Sequence, residues 1–388
     1  MKIVKVIFVV VVFAFLGVIG TMTLFNNREV SDLEARELQT FQEPDVESVI
    51  DGSYSQLIDS AFSDQLEFRD FFVQMYYTVT FQTYSGDVVK GSDNQLFASC
   101  QDAPNRETND DALINIANEM NAIADELALD GRKFIFVSIP RKDAVMTGFL
   151  PESYTSSDEI YKHSMEALIS HFNENVIVID AYDLFVEAYE NGENCYFTTD
   201  HHVNFAGGMI IYNELTKIIS EDYPEIQFTT EDDYNVQSVV VNGSFNRLIG
   251  QSVKADPEEL LISLKKIDFT YTRKEEGKSS NKSIWGTGSS YASAYMDDDN
   301  PETILTSSNS DYPNILITGS SFTNILEVLC IPDCHTMASV DYRYNESGKN
   351  LKTYADQIDA HYVIYIPSQS SNAHSINSMK IHLGLEVS

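Results

Sequence analysis

Positive charge is scarce in this chain. Of 388 residues, 25 are Lys or Arg against 59 Asp or Glu, a net charge of −34. Nucleic-acid binding needs clustered cations to displace counterions and is excluded, and long-range attraction of a polyanionic substrate is disfavoured. A neutral or cationic glycan fits that balance better, and most of the acids read as a solvated outer surface. Tryptophan occurs once, as Trp285 in Ser283-Ile284-Trp285-Gly286. Its ring is either a packed anchor, the commoner role, or a platform on which a sugar stacks. Cysteine is limited to four residues, which in an exported chain allow two disulfides in three pairings. Cys330 and Cys334 are spaced for a tight loop around Pro332, whereas Cys100 and Cys195 would have to meet over a distance. A zinc site from Cys330, Cys334 and His335 lacks a matching second pair of ligands. There are no heptads and no long internal repeat, which argues against a coiled coil and a solenoid.

Long apolar runs are also scarce, and the one present is terminal. Lys2 and Lys5 precede an apolar stretch from Val6 to Leu24, close to the roughly 20 residues that span a bilayer. It is longer than the core of a cleaved signal peptide and no Ala-x-Ala site comes after it. The expectation is an uncleaved, single-pass anchor over residues 1–25, with secretion after cleavage as the alternative. Basic residues on the N-terminal flank keep that end in the cytoplasm and send the remainder outside the cell. Residues 26–50, polar and acid-rich, read as a stalk.

Beyond residue 50 the chain takes on an α/β rhythm. Leu57, Ile58, Phe62, Leu66, Phe68 and Phe72 recur at helical spacing, interrupted near Ser63-Asp64-Gln65, and predict two helices between Tyr54 and Tyr84. Arg69 and Asp70 at the junction are spaced for an internal ion pair. Residues 88–99 read as a short hairpin. An amphipathic helix is predicted from Asp110 to about Leu129, ending at Gly131, then a buried strand over Phe134–Ile139. A helix around Ile160–Phe172 and a strand over Val176–Ile179 repeat the scheme. Strands apolar on both faces and alternating with helices imply a largely parallel sheet covered on both sides, with ligands beyond the strands' carboxyl ends. Asn204 is placed to cap a helix from Phe205 to about Ile219, and Gly207 and Gly208 in its first turn permit close approach of another backbone. Residues 221–312, rich in Ser, Asn, Gly and Asp, read as an inserted loop-rich β segment with strands near Val236–Val241 and Phe269–Tyr271. Domain organisation is thus an anchor, a stalk, and one α/β domain over 51–388 carrying that insertion.

Two segments carry the chemistry. In Thr199-Asp200-His201-His202, an extended backbone would send Asp200 and His202 to one side and His201 to the other. Ile315-Leu316-Ile317-Thr318-Gly319-Ser320-Ser321-Phe322 reads as a buried strand breaking into a helix, so Ser321 sits on a strand-to-helix turn. If the two segments meet, Ser321 is a nucleophile, His202 its base and Asp200 the group that orients the ring. Backbone amides at Ser321 and Phe322, with the Asn324 side chain, are placed to hold an oxyanion. Taken alone, Ser321 is as well read as an ordinary capping hydroxyl, and Asp200-His201-His202 as a solvated capping loop.

In order along the chain, Asp64-Gln65-Leu66-Glu67-Phe68-Arg69-Asp70, Ile139-Pro140-Arg141-Lys142, Thr199-Asp200-His201-His202, Gly319-Ser320-Ser321-Phe322-Thr323-Asn324 and Asp341-Tyr342-Arg343-Tyr344 resemble the DHHW family of exported proteins. That family is similar to the alginate O-acetyltransferases and their SGNH-hydrolase-like domain. The resemblance implies a three-layer SGNH-like fold, Asp200, His202 and Ser321 as the triad, and acetyl transfer to a polysaccharide with a membrane-bound O-acyltransferase as donor. Lys142, Arg343 and His201, with Phe322 and Asn324, are the further candidates for contact with the oxyanion or the substrate. The family's tryptophan after the histidine pair is Val203 here, and its aspartate before the nucleophile is Ser320. This chemistry needs no cofactor and no metal. Three other readings stand beside it: an esterase using water as acceptor, a metallohydrolase with a metal on Asp200, His201, His202 and Cys195, and a non-catalytic glycan-binding or scaffold protein. His335, His361 and His374 read as structural.

Overall fold

The computed structural model of the chain describes residues 2–34, 36–99, 110–265, 269–286, 288, 291–295, 301–344 and 348–367. Cys100 and His374 lie outside the described residues. Two compact units result, one built on Met1–Val88 with Phe245–Lys254, the other on Val89–Ser244 and the chain from Ala255 onward.

In the first unit, α1 (Lys2–Phe25) is apolar on every side. Its stretch Ile3–Phe25, with a mean hydropathy of 2.9, is the one helix among the described residues long and apolar enough to cross a membrane. Residues 26–50, expected as a stalk, instead fold onto the next helices in the chain. They form two short antiparallel strands, Val30–Ser31 and Arg36–Glu37, and the helix α2 (Val46–Asp51). The cause is Gln65, fully buried at the break between α3 (Ser53–Asp64) and α4 (Arg69–Thr80). Its amide accepts from Arg28 N at 2.9 Å and donates to the Arg28 and Gln39 carbonyls at 2.8 and 3.0 Å. Arg36 pairs with Asp64, and Arg69 pairs chiefly with Glu34 rather than with Asp70, which takes Arg28 at 2.9 Å. On α4, Val73 and Tyr77 meet the 245–254 excursion. A Cβ added at Gly250 would lie 2.9 Å from the first and 3.3 Å from the second.

The second unit is organised on one sheet. Its strands are β1 (Lys133–Ser138), β2 (Val176–Asp180), β3 (Tyr271–Glu275), β4 (Lys278–Ser280), β5 (Glu302–Ser307), β6 (Ile315–Gly319), β7 (Thr336–Asp341) and β8 (Tyr362–Ile366). They lie in the order β4-β3-β5-β7-β6-β8-β1-β2. The five from β7 to β2 run parallel, and β5, β3 and β4 continue the sheet antiparallel. Part of the expected insertion, from Tyr271 to Ser307, is therefore an extension of the central sheet, and the remainder includes an antiparallel pair, Tyr234–Val240 with Pro257–Leu264.

Alternation along the strands divides the core in two. Phe134, Phe136, Leu316, Val363 and Tyr365 face one side with α5 (Asp110–Leu129), α6 (Asp158–Ile169) and α10 (Leu351–Ile358). Ile135, Val137, Ile315, Ile317 and Ile364 face the other with α7 (Tyr182–Glu190), α8 (Phe205–Asp222) and α9 (Asn324–Cys330). Each such side chain, fully buried, contributes about 1.5–3 kcal/mol of transfer free energy. The architecture is thus three-layered, as expected. Trp285 packs partly buried against the second of these cores, with its ring edge-on to Tyr234. Cys330 and Cys334 remain free buried thiols rather than a disulfide, and Cys334 Sγ lies 3.6 Å from the Ile331 carbonyl. Strand β6 is flanked on both sides by parallel neighbours, so its carboxyl end opens at the middle of the sheet's upper rim, where ligands bind in such folds.

Candidate active site

Ser321 follows β6 after one residue, Ser320, and starts a single 3-10 turn, Ser321–Thr323, that runs on into α9. His202 and Asp200 lie on a tight loop closed by a bridge between Tyr196 and Val203. Asn204 ends that loop by accepting Gly207 N at 3.1 Å and starting α8. Gly208 then lets α8 approach α9, since a Cβ there would sit 2.4 Å from Ile325. The two remote segments are brought together by this helix pairing. His202 Nε2 is 2.8 Å from Ser321 Oγ, and His202 Nδ1 is 2.6 Å from Asp200 Oδ1. All three side chains are buried.

The loop is not extended, which corrects the expectation of alternating faces. Asp200 Oδ1 also accepts from the backbone N–H of His201 and His202 at 2.7 and 3.1 Å, a local turn that an aspartate favours. As a result the two imidazoles lie side by side, ring centres 3.9 Å apart, rather than on opposite faces. The second carboxylate oxygen accepts Ser244 N at 2.5 Å. That contact requires Gly243, where a Cβ would come within 2.3 Å of the Thr199 carbonyl. Burial works against charge on Asp200. The attraction of His202, its hydrogen bond, His201 and the Ser244 amide outweigh burial and hold the carboxyl well below the usual range.

Lys142 is placed differently from expectation. It is 3% exposed, and its ammonium donates to the carbonyls of Leu96, Phe197 and Thr198 at 2.9, 2.7 and 2.7 Å, with Asp200 O at 3.3 Å. Its donors tie the loop that carries Asp200 to the strand residue Leu96, so it is a brace under the site and not an oxyanion or substrate ligand. Burial pulls its pKa down to about 7, opposed by Glu258 and Asp200. Glu258 accepts Thr198 N at 2.6 Å on the same loop. Arg343 is bound to Asp341 at the carboxyl end of β7 and stacks on Tyr344. Phe322 lies with its ring centre 4.9 Å from that of His202, and Asn324 is buried one turn beyond Ser321. His201 is the most exposed of the group, with Nδ1 3.2 Å from Ser244 Oγ.

Tyr291 carries no signal in the sequence and yet touches both halves of the site. Its ring stacks on His202 with centres 3.6 Å apart and planes 6° from parallel. Its hydroxyl donates to the Ser321 carbonyl at 2.5 Å. It opens a helix of only four residues, Tyr291–Ala294, too short to give a periodicity by which to find it.

Among the described residues, Asp200, His201 and His202 are the one group whose donor atoms cluster closely enough for a metal. Both ring nitrogens of His202 are already engaged, by Asp200 and by Ser321. Cys195 is not in the group, and burial pushes its thiol up to about 12, away from the thiolate a metal binds.

Residues 88–295 match the family model described as SGNH hydrolase-like domain, acetyltransferase AlgX. The chain belongs to this family. The matched span holds Asp200, His202 and Tyr291 and ends before Ser321. Solved structures share the SGNH-like fold at low identity. A DHHW family protein from Eubacterium siraeum is 16% identical, with a TM-score of 0.59 over 79% of this chain and 98% of that one. Bacillus cereus PatB1, determined with a sulfonyl adduct, is 18% identical with a TM-score of 0.60, over 76% of this chain and 98% of its own. No curated protein matches the chain.

Proposed function

We propose that this chain is an extracytoplasmic polysaccharide O-acetyltransferase, held to the membrane by α1 and working through an acyl-serine intermediate on Ser321. The observation that carries this reading is the 2.8 Å contact between His202 Nε2 and Ser321 Oγ, at the end of a relay that begins on a buried, charged Asp200. A serine hydroxyl becomes a useful nucleophile when a base at hydrogen-bond distance takes its proton. Ser321 Oγ attacks the acetyl carbonyl of the donor while His202 Nε2 accepts the proton, and Asp200 stabilises the resulting imidazolium. The N–H groups of Ser321 and Phe322, with the Asn324 side chain, receive the oxyanion. Collapse expels the donor's alcohol, which takes the proton from His202. A sugar hydroxyl, deprotonated by the same nitrogen, then attacks the acyl-serine and restores Ser321. The donor would be a membrane-bound O-acyltransferase, as the family resemblance implies, and the acceptor a polysaccharide outside the cell. The net charge of −34 favours a neutral or cationic one.

The test is an assay of the full chain with p-nitrophenyl acetate and a panel of oligosaccharides. Acetate release together with acetylated oligosaccharide by mass spectrometry is the expected result. Release to water alone would make the protein an esterase on the same residues. No release with any acceptor would sink the proposal.

Tyr291 is then a positioning residue. Tyr291→Phe keeps the ring stack and loses the hydrogen bond to the Ser321 carbonyl, and kcat should fall about 5–10-fold at unchanged KM. Tyr291→Ala frees the imidazole face as well and should cost about 10²-fold. Steady-state kinetics check both, and an Ala variant no slower than the Phe variant would remove the stack from the account.

A further inference from the structure

Helix α4 presents two apolar faces, and the fold uses one. Val73 and Tyr77 pack toward Gly250. On the opposite arc Phe68, at the N-cap, Phe71, Phe72, Met75, Tyr76 and Val79 stand between 39% and 70% exposed. At 3.6 residues per turn these six fall within an arc of about 140°, continuous along a helix about 18 Å long. An aromatic stripe of this size on a water-facing helix marks an interaction surface.

Its occupant can be read from where α4 begins. Thr23, in the last turn of α1 and itself buried, accepts Glu67 N at 3.1 Å, and Asn26 Nδ2 donates to Gln65 O at 3.1 Å. The end of the membrane-spanning stretch is therefore hydrogen-bonded to the residues from which α4 starts, within one compact unit. We infer that α4 is an interfacial helix, lying in the headgroup–acyl boundary of the membrane that α1 enters, with the six-residue stripe turned into the lipid. This rests on α1 as an anchor, and it adds a second membrane contact that the acetyl-transfer reading does not need. The driving force is apolar area rather than charge. The segment around it is acid-rich, with Glu29, Asp32, Glu34, Glu37, Asp64, Glu67 and Asp70 against Arg28, Arg36 and Arg69, so a zwitterionic bilayer suffices.

The experiment places a tryptophan at Met75, Gln74 or Phe15 of the full chain and reconstitutes each variant in phosphatidylcholine vesicles. The lipids are brominated either near the headgroup end or near the tail end of the acyl chains. Wild type, with Trp285 alone, supplies the background. Met75→Trp should lose about half of its added emission to the shallow bromines, irrespective of salt, and Gln74→Trp, on the other arc, should lose little. Phe15→Trp should be quenched by the deep bromines. An unquenched Met75→Trp beside a quenched Phe15→Trp overturns the inference and leaves the stripe to a protein partner. Equal quenching at 74 and 75 overturns it too, because no face would then be selected. An unquenched Phe15→Trp overturns it together with the reading of α1 as an anchor.

Discussion

Ser321→Ala is expected to remove acetyl transfer, lowering kcat by at least about 10³-fold, without loss of fold. The substitution deletes one buried oxygen and one hydrogen bond to His202, leaving β6, the 3-10 turn and the Phe322 ring where they are. Among the described residues, Ser321 Oγ is the one hydroxyl at hydrogen-bond distance from His202 Nε2. The neighbouring hydroxyl, Ser320 Oγ, is buried and has no hydrogen-bond partner among the described residues. Ser320→Ala is therefore the control, with activity within about twofold of wild type and stability equal or slightly higher, since an orphan polar group is removed. Turnover assays paired with thermal melts separate the two variants. A Ser321→Ala protein that still acetylates its acceptor would take the acyl-serine step away.

The other large effect is expected from a residue that never meets substrate. Lys142→Met keeps much of the side chain's volume but takes the ammonium away from the carbonyls of Leu96, Phe197 and Thr198, of which Thr198 keeps the Leu96 N–H at 2.9 Å, and removes the cation beside Glu258. Leaving buried acceptors unpaired costs about 1–3 kcal/mol each, and such losses are not additive, so about 3–5 kcal/mol is expected. Because the carbonyls of Phe197 and Thr198 belong to the loop carrying Asp200, activity should fall with stability. The sole tryptophan, Trp285, packs in the same unit and reports its unfolding, so a denaturant titration monitored by fluorescence gives the stability change for that unit. A shift below about 1 kcal/mol would mean that the brace carries little.

Much of the fold and the site is legible in the sequence where the local signal is strong. The strands at 133–138, 176–180, 315–319 and 362–366 are continuous apolar runs, and the Asn204 cap and the helix from Asp110 to Leu129 obey ordinary patterns. The features that stay hidden depend on contacts between distant residues. Strands β5 and β7 mix Thr, Ser, Glu and Asp with their apolar residues and gain their place by pairing with a formed sheet. Lys142 looks like any cation until four carbonyls are found around it. Gly243 and Ser244 complete the Asp200 site from more than 40 positions away, and Gln65 reads as an ordinary polar residue at a helix break although it ties Arg28 and Gln39 back onto that break.

The crowding of donors around Asp200 has a consequence for each turnover. Three amides and one ring nitrogen donate to its two oxygens, so the carboxylate is held at both ends in one orientation. The imidazole is left with one tautomer, hydrogen on Nδ1 and a lone pair on Nε2 already aimed at the hydroxyl. Reorganisation that a solvated histidine would have to undergo in every cycle has been completed once, at folding.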